Sequence, residues 1–97
     1  MAHGYLRGSE GSFTQFDPSG STGTFAESIN DKGDVTGWYQ DITGIEHGFV
    51  RMSDGTVASF DPQGSTGTNG NFINGKGEIV GFYNDSSGNS HGFLRTP

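Results

Sequence analysis

Apolar residues along this chain fall in short runs: HGFVRM at 47–52, TVASF at 56–60, GNFIN at 70–74 and EIVGFY at 78–83. Turn residues follow each run, first Asp54-Gly55, then Asp61-Pro62, then Gly75 to Glu78, then Asp85 to Asn89. Short runs bounded in this way predict β-strands, here called a, b, c and d, of which c is the weakest. Asp54-Gly55 predicts a two-residue hairpin between a and b. Asp61-Pro62 ends b, because proline has no N–H to offer a ladder. No segment carries a helical period with caps. FAESIN at 25–30 comes nearest, and its counterpart NGNFIN at 69–74 is a poor helix.

The whole pattern occurs twice. HGYLR starts at His3, HGFVR at His47 and HGFLR at His91, each 44 residues after the last. Residues 3–46 align with 47–90 without a gap, and 21 of the 44 positions are identical. Residues 91–97 repeat only strand a, so the chain reads as one repeat domain, 1–97, with two copies and a partial third. The string FDPSGSTGT at 16–24 returns as FDPQGSTGT at 60–68. Its Gly, Ser and Thr content reads as a loop crossing from b to c between structural units.

Four antiparallel strands in about 40–45 residues match one β-propeller blade. The expected fold is therefore all-β, with four-stranded propeller blades, two per chain. Known propellers have about four blades or more, so identical chains are expected to complete a ring. A trimer with six blades is favoured, and a small β-sandwich is the alternative. In a closed ring the two chain ends compete for one strand-a position. The N-terminal copy, held by a local hairpin at Glu10-Gly11, is expected to take it, leaving 91–97 more weakly bound.

Composition narrows the field. Apolar residues are only 29% of the chain, but charged residues are 16% and aromatics 12%, which argues against disorder. A net charge of −6 with five basic residues disfavours nucleic acid and anionic membrane surfaces as partners. No apolar run reaches the length of a membrane-spanning helix. MAHGYLRGSE has no basic stretch followed by an apolar core, so no signal peptide is expected. The absence of cysteine excludes disulfides and thiolate metal sites.

The strand order gathers polar chemistry at one end. Counting back from Asp54-Gly55 pairs Met52 with Val57, Phe49 with Phe60 and Gly48 with Asp61. His47 then lies near Asp61 and Pro62, and His3 near Asp17 and Pro18. The candidate ligand-binding residues are Trp38, Tyr39, Asp41, His47, Asp61, Tyr83, Asp85 and His91. Carboxylates and imidazoles beside aromatic faces suit a sugar. Each also has an ordinary reading. A His–Asp bond can lock a strand end, and each histidine lacks a second ligand at metal spacing. NDKGDV resembles the start of a calcium loop, but NGKGEI in copy two loses the first carboxylate, so a hairpin turn is expected. Trp38, Tyr39, Phe82 and Tyr83 alternate faces on strand d and read as core. Arg7, Arg51 and Arg95 on strand a read as partners of an Asp or Glu on a neighbouring unit.

The blocks HGFLR, SFDP, IN-x-x-G-x-x-x-G-x-Y and D-x-x-G-x-x-HGF resemble the secreted bacterial HAF repeat, with His-Gly in place of His-Ala. The resemblance covers nearly all of the chain and implies an extracellular, propeller-like repeat with no catalytic residues. No GxSxG, phosphate loop or zinc motif is present. Equivalent acids in every copy also lack the asymmetry that separates an acid from a base. The expectation is a non-catalytic module without cofactor, binding carbohydrate through many equal sites. The alternative is a structural or protein-interaction repeat, or an excised or designed fragment, with no small ligand.

Overall fold

A computed structural model describes residues 1–97. The chain is all-β, with nine strands and no helix: β1 (Gly4–Arg7), β2 (Phe13–Phe16), β3 (Ser21–Ile29), β4 (Val35–Asp41), β5 (Glu46–Arg51), β6 (Val57–Phe60), β7 (Ser65–Ile73), β8 (Ile79–Asp85) and β9 (Ser90–Arg95). They form three antiparallel sheets, β1-β2, β3-β4-β5-β6 and β7-β8-β9.

The sheets do not coincide with the sequence copies, nor with two four-stranded units per chain. The d-to-a turn at Asp41–Ile45 is a tight hairpin, so strands c and d of copy one share a sheet with a and b of copy two. The chain leaves a sheet only between b and c. There Asp17-Pro18 and Asp61-Pro62 end the ladder, and Ser21 and Ser65 bond back to the proline carbonyls around Gly20 and Gly64. The order within a complete sheet is thus c-d-a-b. The chain holds one complete sheet, a preceding a-b pair and a following c-d-a set.

Two further expectations are corrected. The a-to-b connection is not a two-residue turn. Met52 N–H bonds the Thr56 carbonyl, Gly55 N–H bonds the Met52 carbonyl, and Gly55 has φ +95° while Asp54 does not have positive φ. A two-residue type I′ turn needs φ > 0 at both central residues, so this sequence makes a three-residue loop with glycine last. The pairing shifts by one, to Gly48–Phe60 and Arg51–Val57. Strand c is also longer than GNFIN. STGT, which reads as loop, is the first half of nine-residue β3 and β7. Bulges at Ser21/Gly23 and Ala26/Ser28, repeated in β7, break the alternation that would have revealed it.

The sheets stack face to face. One face of the central sheet presents Val35, Tyr39 and Phe49 to Phe16 and Leu6 of the first sheet. The other presents Val50 and Phe60 to Ile73, Ile79 and Phe93 of the third. Phe49 and Ile79 are fully buried, each contributing about 1.5–3 kcal/mol by leaving water. Strands c and d come so close that a Cβ on Gly37 or Gly81 would overlap the facing carbonyl of Phe25 or Asn69. Arg51 and Arg95 do reach across to the preceding sheet, but they lie over the rings of Phe16 and Phe60 at 5.4 and 5.2 Å, not against a carboxylate.

Candidate functional site

The d-to-a hairpin builds the site. Asp41 ends β4, and its Oδ1 accepts the N–H groups of Thr43 and Ile45 at 2.8 and 3.1 Å and the Thr43 hydroxyl at 2.6 Å. This leaves Oδ2 facing β5, where it meets His47 Nε2 at 2.7 Å. The one-residue shift in pairing carries His47 to the level of Asp61, and His47 Nδ1 meets Asp61 Oδ2 at 2.8 Å. One imidazole therefore sits between two carboxylates, one from the end of strand d and one from the end of strand b. The expected convergence of Asp and His at one end of the strands is present, and closer than the expected pairing gives.

The same cluster occurs in halves at the chain ends. In the first sheet His3 Nδ1 bonds Asp17 Oδ2 at 2.8 Å, and no strand d precedes it. In the third sheet His91 Nε2 bonds Asp85 Oδ2 at 2.8 Å, and no strand b follows. Asp85 Oδ1 caps its hairpin through Ser87 and Asn89, as Asp41 does.

The electrostatics follow the contacts. Burial opposes charge on His47, yet its hydrogen bonds to Asp41 and Asp61 outweigh that and raise its pKa above the ordinary value. Hydrogen bonds from Thr43 and then His47 hold the Asp41 carboxyl below the usual carboxylate range. The bond to His91 does the same for Asp85. For Asp17, burial pushes upward, but the Thr24 hydroxyl at 2.7 Å and His3 prevail and lower it. With both ring nitrogens engaged by carboxylates, His47 offers no lone pair to a metal and no free base to a substrate.

The aromatic candidates divide. Tyr39 is buried between the first and central sheets, with its hydroxyl 2.6 Å from Ser59 Oγ. Trp38 is half-buried, stacks on Phe25 at 4.2 Å and donates its Nε1–H to Glu27. Tyr83 packs beside His91, with ring centres 5.1 Å apart. Asp61 is exposed and lines a cleft of about 290 Å³ with Phe60, Pro62, Phe93, Leu94 and Arg95. Sequence reasoning left out this cleft and the cation–ring pairs. The signal for both was present in the identical spacing of Phe16 to Arg51 and Phe60 to Arg95.

The NDKGD and NGKGE segments are turns. Asn30 Oδ1 accepts the N–H groups of Lys32 and Asp34, Asn74 Oδ1 those of Lys76 and Glu78, and Asn30 Nδ2 reaches the Asn74 carbonyl across the sheets at 2.9 Å. Comparison with family models, with curated proteins and with solved structures finds no match.

Proposed function

We propose that this chain is a non-catalytic repeat module whose role is assembly with copies of itself, each complete sheet serving as one blade of a propeller-like ring. The observation that supports it is the periodic stacking. The first sheet packs on the central sheet as the central packs on the third, with Phe16 and Phe60, and Arg51 and Arg95, in equivalent contacts. A stack with one repeating contact has no intrinsic end and can be extended by further copies of the same unit. The aspartate–histidine clusters then act as strand-end locks. A trimer, with two blades contributed per chain, is the favoured closure. The HAF-type resemblance supports such a role and implies an extracellular module. The test is native mass spectrometry of the untagged chain. A dominant species at three times the 10.2 kDa chain mass is expected, and a strictly monomeric protein across the micromolar range would remove the reading.

Carbohydrate binding is the second reading. What favours it is the cleft at Asp61, where a carboxylate, two aromatic rings and a guanidinium meet. A glycan array tests it. Stoichiometric binding of one glycan class that is lost in Asp61→Asn supports it, and an array without binding at high protein concentration ends it.

A further inference from the structure

The b-to-c crossing that starts at Asp61-Pro62 ties the central sheet to the third. The carboxylate at its start stands between two partners. Asp61 Oδ2 meets His47 Nδ1 at 2.8 Å, and Asp61 Oδ1 takes no hydrogen bond. At the far side of the crossing Thr68 lies fully buried in β7, the strand that packs on β4 and β5, and its hydroxyl has no hydrogen-bond partner. We propose that Asp61 is a two-position latch: it bonds His47 while that ring is charged, and turns to the Thr68 hydroxyl when the ring is neutral. The latch lies within one chain and does not depend on self-assembly.

The first crossing shows that the reach is right. FDPSGSTGT and FDPQGSTGT differ at one position, and in the first string Thr24, the equivalent of Thr68, donates to Asp17 Oδ1 at 2.7 Å. The two loops turn alike. Ser21 and Ser65 bond back to the proline carbonyls, and Gly20 and Gly64 have φ of +81° and +86°. A carboxylate at this repeat position therefore reaches the hydroxyl across the loop. A buried hydroxyl left unpaired costs free energy that such a bond recovers.

The chemistry of the ring decides when Asp61 turns. A charged imidazole donates from both nitrogens, whereas a neutral one has a single N–H and a lone pair. Neutral His47 can thus keep one carboxylate, and it faces the other with a lone pair. Asp41 is the one that stays, because the N–H groups of Thr43 and Ile45 and the Thr43 hydroxyl fix its Oδ1. Asp61 has no such anchor, and its side chain is the more exposed, 37% against 27%. No other group near the ring takes over its charge. Tyr39 of β4 lies beside it with ring centres 5.2 Å apart, and Glu46 of β5 accepts from Asn69 of β7. No lysine or arginine forms an ion pair with the cluster. Burial opposes the charge on His47 and the two carboxylates outweigh it, so the changeover lies above the ordinary histidine value of 6.5. Below the changeover the crossing is tied to strand a of the sheet it leaves. Above it, the crossing is tied to strand c of the sheet it enters, and acidity sets which sheet holds the joint.

Linkage tests this, read by NMR in the full chain. The His47 ring resonances are followed from about pH 5 to about pH 9. In Thr68→Val a methyl replaces the hydroxyl, so the neutral state loses its bond and the charged state loses nothing. The titration midpoint of His47 is then expected to rise by about half a pH unit or more, the worth of one hydrogen bond. Thr68→Ser, which keeps the hydroxyl, is expected to leave the midpoint in place. In the unsubstituted chain the Thr68 side-chain resonances are expected to titrate with the His47 midpoint, and in Asp61→Asn to stay flat. A folded Thr68→Val protein with an unchanged His47 midpoint overturns the proposal, because a merely structural threonine has no linkage to the ring. If that variant does not fold, the unsubstituted chain decides. Thr68 resonances that move with His47 support the latch, and resonances that stay flat through its midpoint overturn it.

Discussion

The central sheet and the third sheet are made from the same repeat, yet they differ in what their residues experience. Phe49 is fully buried and its equivalent Phe93 only partly so. His47 is held between two carboxylates, and His91 bonds one. Thr36 is fully buried and donates to the Phe49 carbonyl, while Val80 at the same repeat position is 45% exposed. The residues of a strand therefore do not set its burial here. The presence of strand b and of a following sheet sets it, which is the behaviour of a stacked repeat whose stability lies largely in the contacts between units.

The sharpest way to break this contrast is to truncate the same ring position in different sheets. Phe49→Ala should cost about 3–5 kcal/mol of stability, the usual range for a fully buried Phe in a packed core. Tyr5→Ala, at the equivalent exposed position of the first sheet, should cost under about 0.5 kcal/mol in dilute, monomeric protein. Urea unfolding monitored by Trp38 fluorescence measures both, and equal losses would mean that the central sheet is not the stability centre.

A smaller difference is expected at the glycine that precedes each of these rings. A Cβ on Gly48 would overlap the Phe60 ring, which belongs to the core between the central and third sheets. Gly48→Ala should thus cost about 1–3 kcal/mol, as overpacking does. At Gly92 strand b is absent and the nearest atom, the Gly81 carbonyl oxygen, lies 3.9 Å away. Gly92→Ala should be neutral or stabilising by a few tenths of a kcal/mol. It should also leave the native mass unchanged. If β9 were the strand that closes a ring, Phe16 of a second copy would lie over Gly92 as Phe60 lies over Gly48, and the substitution would weaken assembly.

Much of this was legible in the sequence, because the repeat made weak signals count twice. The all-β class, strands a, b and d, and the gathering of Asp41, His47 and Asp61 at one end follow from HGF, FDP and the Gly-containing turns. Strand c was not legible beyond GNFIN. Its bulges disrupt the two-residue period, and buried Thr24 and Thr68 look polar on paper. The sheet boundary was hidden for a related reason. Sequence identity marks the repeat length but not the phase, and only the d-to-a hairpin bonds reveal that a sheet begins at strand c. The pairing error of one residue came from Asp54-Gly55, which two hairpin types share and which only the φ of Asp54 separates.

The mildest test concerns charge. His47 has its pKa raised, so the stability it contributes is fully present below the unfolded value of about 6.5 and is lost as pH rises through the higher folded value. Asp41 has its pKa lowered, so its contribution is present above the unfolded value of about 3.9 and is lost as pH falls through the lower folded value. Together they place maximum stability between roughly pH 4 and 6.5, with a decline toward pH 8. The pair is partly exposed and screened by solvent, so the decline should be small. The urea midpoint measured at pH 6 and pH 8 reads it out. His47→Gln should flatten the decline, because an amide cannot carry the charge that binds both carboxylates. His91→Gln removes a single bond, from an exposed strand to Asp85, and serves as the control. If both substitutions flatten it equally, the second carboxylate on His47 adds nothing, and the complete cluster has no energetic advantage over its halves.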